Sequence, residues 1–159
     1  MENHLTADPI QALRRLFCLR HRAIGELFAD FPLQDPAQYN LLICIDRLSR
    51  ERELPNQREL CREIHRSPAT VAASLKVLER QGLIRRTQDQ DDQRVNRVAL
   101  TETGSAMAER CRERMSSLER QVIQGFSSGE TEELTRLLDK MIDNLSRTLS
   151  EKKEAHSID

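Results

Sequence analysis

The sequence predicts a mainly α-helical fold with six helices and one small β-hairpin. Only 5 glycines and 5 prolines interrupt the 159 residues, while 32% of the residues are charged and 3% are aromatic. Such a composition favours long amphipathic helices over a sheet-rich fold. The length fits one domain with helical extensions at both ends, divided into an N-terminal helix (1–34), a central module (35–100) and C-terminal helices (101–159).

The first two predicted helices lie before the central basic region. Asp8 followed by Pro9 is typical of an N-cap and a first helical position, and apolar residues then recur at helical spacing to about Phe31. A proline-containing break separates this helix from a second one that should end near Arg50. The aliphatic residues of the second helix predict that it is well buried.

Two short helices follow with the spacing of a helix-turn-helix. The segments NQRELCREIH and SPATVAASLKVLERQ fit helices joined only at Arg66. In the second, Ser67 is placed to cap the helix and Pro68 suits its first turn. The residues expected to face inward are Leu60, Cys61, Ile64, Val71, Leu75 and Leu78. The opposite face of the second helix is therefore free to contact a partner.

The β-hairpin directly follows the second short helix. Gly82 is placed to end that helix, and the segments LIRRT and RVNRVAL then predict two short strands around the polar tip QDQDDQ. A helix pair closed by such a hairpin is a winged helix-turn-helix, in which the hairpin, or wing, flanks the helix that reads DNA. The central module is thus predicted to be a winged helix-turn-helix.

Two long amphipathic helices are predicted after the wing. The segment TETG at 101–104 resembles a capping box at the start of one, and the other is expected from Glu130. The last helix has a broad apolar stripe that the small central module cannot cover, formed by Leu134, Leu137, Leu138, Met141, Ile142, Leu145 and Leu149. We therefore expect a homodimer with dimerisation helices from both chain ends.

Charge is unevenly distributed along the chain. From Arg52 to Arg97 there are ten basic residues against seven acidic ones, a net charge of +3, although the whole chain carries −1. A basic middle suits contact with phosphates. The sequence has no glycine-rich phosphate loop, nucleophile elbow or HExxH motif, so we expect neither an enzyme nor a cofactor.

Hydropathy and cysteine spacing predict a cytoplasmic protein. No segment approaches the roughly 20 apolar residues of a membrane span, and MENHLTADPIQALRR lacks the apolar core of a signal peptide. The four cysteines form no CxxC pair, which argues against a zinc ribbon or a disulfide framework. We expect reduced thiols, no bound metal, and core or interface positions for Cys44, Cys61 and Cys111.

Several of these segments, in this order, resemble the MarR family of multiple-antibiotic-resistance regulators over nearly the whole chain. They are PAQYNLLICIDRL, LCREI, SPATVAASLKVLERQGLIRR and DQDDQRVNRVALTETG. The resemblance implies a dimeric transcription regulator whose second short helix enters the major groove of DNA. Two positions depart from the family pattern. Its wing usually carries Asp-Arg-Arg where this chain has Asp92-Gln93-Arg94, and many members have a long polar side chain where Ala73 stands.

The DNA contacts implied by the resemblance lie on the helix-turn-helix and the wing. Bidentate readout of guanine is absent at position 73, so small and hydroxyl side chains are expected to read an A/T-leaning operator partly by shape. Phosphates are expected at the N-terminus of the first short helix and at cations around the second. The candidate DNA-binding residues are Asn56, Gln57, Arg58, Ser67, Pro68, Ala69, Thr70, Ala73, Ser74, Lys76, Arg80, Arg86 and Arg94.

The resemblance also implies a signal that releases the DNA, either a small molecule or an oxidant. Cys18 lies among arginines that favour a reactive thiolate, but it also borders an apolar stripe, where buried unreactive cysteine is common. A small aromatic or anionic effector could bind near Arg20, His21, Arg22 and Tyr39, although these side chains could equally pack an interface.

The predicted function is a sequence-specific repressor that binds pseudo-palindromic operators as a homodimer. The alternative is a helical protein-interaction module or anti-regulator without DNA binding, because Ala73 and Gln93 weaken the expected contacts and the overall charge is near zero.

Overall fold

The computed structural model describes residues 8–33, 35–51, 53–89 and 96–155. Within them the chain forms six α-helices and a two-stranded sheet, which confirms the predicted fold class. It divides into two compact units, Met1–Ser116 and Ser117–Asp159. In chain order the elements are α1 (Pro9–Leu27), α2 (Pro36–Glu51), α3 (Gln57–Glu63), α4 (Pro68–Arg80), β1 (Ile84–Gln88), β2 (Asn96–Leu100), α5 (Glu102–Val122) and α6 (Ser128–Ala155).

Helix α1 begins as predicted but ends earlier than predicted. The Asp8 carboxylate accepts a hydrogen bond from the Ile10 amide at 3.0 Å, as an N-cap does. The helix ends at Leu27, whereas helical spacing predicted an end near Phe31. The Phe28 ring stacks on Tyr39 of α2, with 4.1 Å between ring centroids. The aromatic residues after Leu27 thus form a packed turn rather than another helical turn.

The core of the first unit is built around α2, which packs against α3, α4 and β2. The predicted inward stripe of α4 is confirmed, since Val71, Leu75 and Leu78 are fully buried. Leu60 of α3 is buried beside them. Cys44 and Cys111 are also buried and Cys61 is half-buried, as predicted. The fully buried large side chains of α2 are Leu41, Leu42, Ile45 and Leu48.

The two strands pair antiparallel and are joined by a third extended segment. The register runs from Ile84 opposite Leu100 to Gln88 opposite Asn96. Residues just before α3 add to the outer edge of β2, because the Val98 amide donates to the Pro55 carbonyl at 2.8 Å. Strand β1 begins one residue later than predicted, at Ile84, and continues to Gln88, the first residue of the predicted tip at 88–93. Residues 90–93 of that tip, and Arg94 at the start of the predicted second strand, lie outside the described residues.

Both chain ends expose apolar side chains. The second unit contains the end of α5 and all of α6, whose predicted stripe is largely exposed at Leu134, Leu137, Leu138, Ile142, Leu145 and Leu149. Helix α1 of the first unit exposes Ile10, Leu16, Phe17 and Leu19. In each unit, apolar side chains exposed along one helix mark a surface that another molecule covers.

Candidate nucleic-acid interface

The N-terminus of α4 is capped by side chains that also face solvent. Ser67 is the N-cap: its hydroxyl accepts from the Thr70 amide at 3.2 Å and lies 2.9 Å from the Thr70 hydroxyl. Pro68 occupies the first turn, as predicted. Both hydroxyls are exposed, and each keeps hydrogen-bonding capacity toward an outside partner.

One face of α4 is exposed and has no acidic side chain. Ala69, Ala73, Lys76 and Arg80 recur at spacings of four, three and four residues, and all four are exposed. The first half of this face is therefore narrow and uncharged, and its second half is cationic. Small side chains permit close approach to a base edge, while the cations suit a phosphate.

Ser74 was placed on the wrong face by the sequence analysis. Its exposure is only 4%, because it follows the buried Val71 by three residues and therefore lies in the same stripe as Leu75 and Leu78. Ser74 cannot contact DNA from this position, and the reading face of α4 loses one of its predicted hydroxyls.

Arg86 is less available for phosphate binding than predicted. On β1 its side chain is 29% exposed, and its Nε lies 3.2 Å from Oε2 of Glu79 on α4. The Nε atom is buried and its N–H has no hydrogen-bond acceptor among the described residues. The contact between Arg86 and Glu79 is therefore an ion pair without a hydrogen bond from Nε. The pair connects the wing to the last turn of α4.

The residues at the start of α3 also have structural roles. Asn56 caps α3 in a reciprocal pair with Glu59: its side chain accepts from the Glu59 amide at 3.0 Å, and its own amide donates to the Glu59 carboxylate at 2.8 Å. The Gln57 amide donates to the Pro68 carbonyl at 3.4 Å, linking α3 to the start of α4. Arg58 is exposed beside them, and the structure leaves it accessible to a phosphate.

Arg97 of β2 anchors the wing, a role that the sequence analysis missed. Its guanidinium hydrogen-bonds to Asp89, at the end of β1, and donates to the Leu54 carbonyl at 2.9 Å. Glu53 and Glu59 lie 3.3 and 3.8 Å away. The hydrogen bond from Arg97 to Asp89 raises the pKa of Arg97 above its ordinary value. A permanently charged side chain thus fastens both strands of the wing to the turn before α3.

A second junction joins the end of the wing, at Thr101, to the turn after α4. It also gives the TETG segment its structural role. The Thr101 hydroxyl donates to the Gly82 carbonyl at 2.7 Å and accepts from the Gly104 amide at 3.0 Å, as a helix cap does. Gly104 packs directly on the chain, since a Cβ there would lie 1.8 Å from the Leu83 carbonyl oxygen. Only glycine fits this position.

Comparison with known proteins identifies the module. Residues 35–95 match the model of the MarR family, and this segment contains α2, α3, α4 and β1. Residues 35–95 are therefore similar to the MarR family domain. Together with β2, the elements of this segment have the winged-helix fold. The comparison with curated proteins finds no match.

Solved structures share the fold of residues 35–95 and of the helices on either side. The DNA complex of MepR from S. aureus is 22% identical, with 87% of this chain and 99% of that chain covered and a TM-score of 0.77. BpsR from Bordetella bronchiseptica, whose DNA binding is regulated by 6-hydroxynicotinic acid, is 22% identical, with coverages of 90% and 99% and a TM-score of 0.71. A mutant of MarR from E. coli is 20% identical, with coverages of 88% and 99% and a TM-score of 0.66.

A cavity of about 510 Å³ lies between α1 and the start of α2. Two of the five predicted effector or redox residues, His21 and Tyr39, line it, together with Gly25, Phe28, Ala29, Phe31, Leu33 and Pro36. Burial raises the pKa of Tyr39, so its hydroxyl stays protonated at neutral pH. Most of the lining residues are aromatic or aliphatic, while polar atoms form the larger part of the exposed lining, a combination that suits a small planar ligand with polar groups.

The remaining effector and redox candidates lie outside this lining. Arg22 is exposed on α1 and pairs with Glu26 at 2.8 Å, and Arg20 and Cys18 are also exposed. Arg110 and Arg114 of α5 place their guanidinium carbons 4.7 and 4.4 Å from the centre of the Phe31 ring. These two arginines are cations next to the cavity wall that sequence spacing could not reveal.

The described part of the chain contains neither a candidate metal site nor a candidate membrane span. No group of three or more His, Cys, Asp or Glu residues there could hold a metal ion. No helix among residues 8–33, 35–51, 53–89 and 96–155 is long and apolar enough to cross a membrane.

Proposed function

We propose that this chain is a sequence-specific DNA-binding regulator that represses transcription by occupying pseudo-palindromic operators as a homodimer. The observation that carries the proposal is the exposed, acid-free face of α4, flanked by a wing that two separate junctions fix to the helix-turn-helix. The helix would lie in the major groove, and Arg94 of the wing would contact the adjacent minor groove or its phosphates.

The dimer supplies the geometry for two half-sites. The apolar residues exposed on α1 and α6 are the surface that a second copy would cover. A twofold dimer would hold its two α4 helices about 34 Å apart, one turn of the duplex, and so favour an operator with inverted half-sites.

The chemistry of α4 predicts how the operator is read. Ala69, Ala73 and the Thr70 methyl group can meet thymine methyls, and the face has no side chain for bidentate contact with guanine before Lys76. We therefore expect an A/T-leaning operator read partly by its shape. A selected operator with a G/C-rich core would contradict this preference.

A small aromatic or anionic molecule is the effector that the cavity favours. Its aromatic residues and the Arg110 guanidinium over Phe31 suit a planar acid. Arg114, over the same ring, is already paired with the Asp30 carboxylate at 2.6 Å. BpsR, which shares the fold, has its DNA binding regulated by 6-hydroxynicotinic acid. Such a ligand would release the operator to the extent that it prefers a dimer with differently spaced α4 helices.

A DNA titration tests the regulator function. Wild type and Arg94→Ala are titrated by fluorescence anisotropy against DNA from the protein's own promoter, with DNA of shuffled sequence as the control. If the dimer engages about ten phosphates, affinity should fall by about three to five orders of magnitude between about 50 and 200 mM salt. Arg94→Ala should weaken binding and reduce the salt slope. Absence of binding at low salt under reducing conditions would instead favour a protein-interaction module.

An oxidant is the other signal proposed to release the operator. The cysteines differ in exposure, and this difference allows the proposal to be tested. Cys18 is exposed on α1, whereas Cys111 is buried and desolvation raises its pKa to about 11. Because Cys111 stays protonated below that pH, its thiolate fraction at pH 8 should be about 100-fold smaller than at its ordinary pKa. Iodoacetamide labelling followed by peptide mass spectrometry should therefore modify Cys18 first, and Cys111 only in urea. Peroxide release that persists in Cys18→Ser would exclude Cys18 as the sensor.

A further inference from the structure

We infer that Gln81 is a positioning residue that couples the aromatic cavity to the reading helix α4. The inference rests on the proposed function, because it concerns how occupancy of the cavity would change DNA binding. It depends on one contact between the end of α4 and the loop that connects α1 to α2. Neither the cavity nor the reading face contains Gln81 itself.

The contact joins residues that are 49 positions apart in the sequence. Gln81 is the residue immediately after α4, and its side-chain Nε2 donates a hydrogen bond of 3.1 Å to the carbonyl of Pro32. The residues on either side of Pro32, namely Phe31 and Leu33, are both buried and both line the cavity. The acceptor of Gln81 therefore lies between two residues of the cavity wall.

The turn that carries Gln81 is firmly held on its other side. The Leu83 amide donates to the Leu78 carbonyl at 2.9 Å, and the Thr101 amide donates to the Leu83 carbonyl at 3.0 Å. Gly82 occupies the left-handed region with a φ of +69° and accepts from the Thr101 hydroxyl. These bonds attach the end of α4 to the start of α5, so a displacement of Gln81 is transmitted to the helix rather than absorbed by a loose turn.

The direction of the coupling follows from this arrangement. A ligand that shifts the main chain at Phe31 or Leu33 also shifts the Pro32 carbonyl between them, and the Gln81 hydrogen bond then either breaks or pulls on the end of α4. Arg80 directly precedes Gln81, and Lys76 lies about one turn earlier. The cationic half of the reading face is therefore the part closest to the coupling contact.

The test uses a substitution in place of an unidentified ligand. Gly25 lines the cavity, and a Cβ added there meets no atom within 4 Å, so Gly25→Phe introduces a ring at the cavity wall. This change is made in wild type and in Gln81→Met, which keeps the side-chain length but removes the donor. The Kd for promoter DNA and the amide hydrogen exchange of residues 78–83 are measured in all four proteins.

We expect Gly25→Phe to change the DNA affinity by about three- to tenfold in wild type, the range that one net hydrogen bond can transmit. In the Gln81→Met background the change should fall below about twofold, and the exchange of residues 78–83 should no longer respond. Gln57→Met is the matched control, because it removes another glutamine-to-carbonyl hydrogen bond, at the opposite end of α4. Gln57 is itself a candidate DNA contact, so the quantity compared is the fold-change that Gly25→Phe produces within each background, and in the Gln57→Met background that fold-change should remain in full.

The two readouts separate this inference from the proposed function. A response to Gly25→Phe that is equal with and without Gln81, or absent from both, would overturn the coupling. Hydrogen exchange that responds only when Gln81 is present, in a protein that binds no DNA, would leave the coupling intact and refute the proposed function.

Discussion

Ala73→Glu should lower the affinity for operator DNA by about 100-fold or more while leaving the fold intact. Ala73 is exposed in the middle of the acid-free face of α4, so a carboxylate there would meet the negative potential of the groove. Like charges brought together across an interface cost several kcal/mol, and a dimer carries the change twice. Fluorescence anisotropy at fixed salt measures the loss, and circular dichroism reports the fold.

The matched control for this prediction is Ala106→Glu. Ala106 is also an exposed alanine within a helix, α5, and its replacement makes the same change in net charge. It should reduce DNA affinity only slightly, through long-range repulsion that salt screens. Ala73→Glu protein that binds the operator as well as Ala106→Glu protein would show that α4 is not the reading element.

Gly104→Ala should reduce the free energy of unfolding by about 3 kcal/mol, near the upper end of what overpacking usually costs. The new Cβ would lie 1.8 Å from the Leu83 carbonyl oxygen, which is main chain and cannot rotate away. Moving α5 outward would stretch the two hydrogen bonds by which Thr101 holds Gly82 and Leu83. The measurement is urea denaturation at one protein concentration, because the proposed dimer would make stability depend on concentration.

Gly25→Ala provides the comparison for Gly104→Ala. Gly25 also lies within a helix, but its added Cβ meets no atom within 4 Å. Alanine should therefore raise the free energy of unfolding by about 0.5–1 kcal/mol, the usual gain over glycine in a helix interior. Equal destabilisation by both substitutions would mean that close packing against Leu83 is not what requires glycine at position 104.

Much of the fold could be predicted because local signals and burial agree along most of the chain. The Asp8 cap, the Ser67-Pro68 start of α4 and the left-handed Gly82 each depend on neighbouring residues only, and each is present in the structure. Spacing also predicted the buried stripe at Val71, Leu75 and Leu78. Such features need no knowledge of the tertiary contacts.

The interface was harder to predict because its details depend on distant contacts. Ser74 lies next to a predicted core position, and only the packing of α4 shows that it is buried. Arg86 pairs with a glutamate of the preceding helix, which reduces its availability to DNA. In the sequence, Arg97 is one of several cations in a basic segment. Asp89 approaches it because β1 pairs with β2, and Glu53 and Glu59 approach it because the segment before α3 pairs with β2.

The hydrogen bonds between β2 and the segment before α3 should form late when the chain folds. The amide of Val98 reaches back to Pro55, and Arg97 reaches back 43 residues to Leu54. Contacts of such long sequence separation carry a large loop-closure entropy and form slowly. The helices can pair through nearer neighbours, so completion of the wing should be among the last steps. A chain cut before residue 96 would keep Arg94 but lose β2, and so lose the strand through which the wing is bonded to the segment before α3.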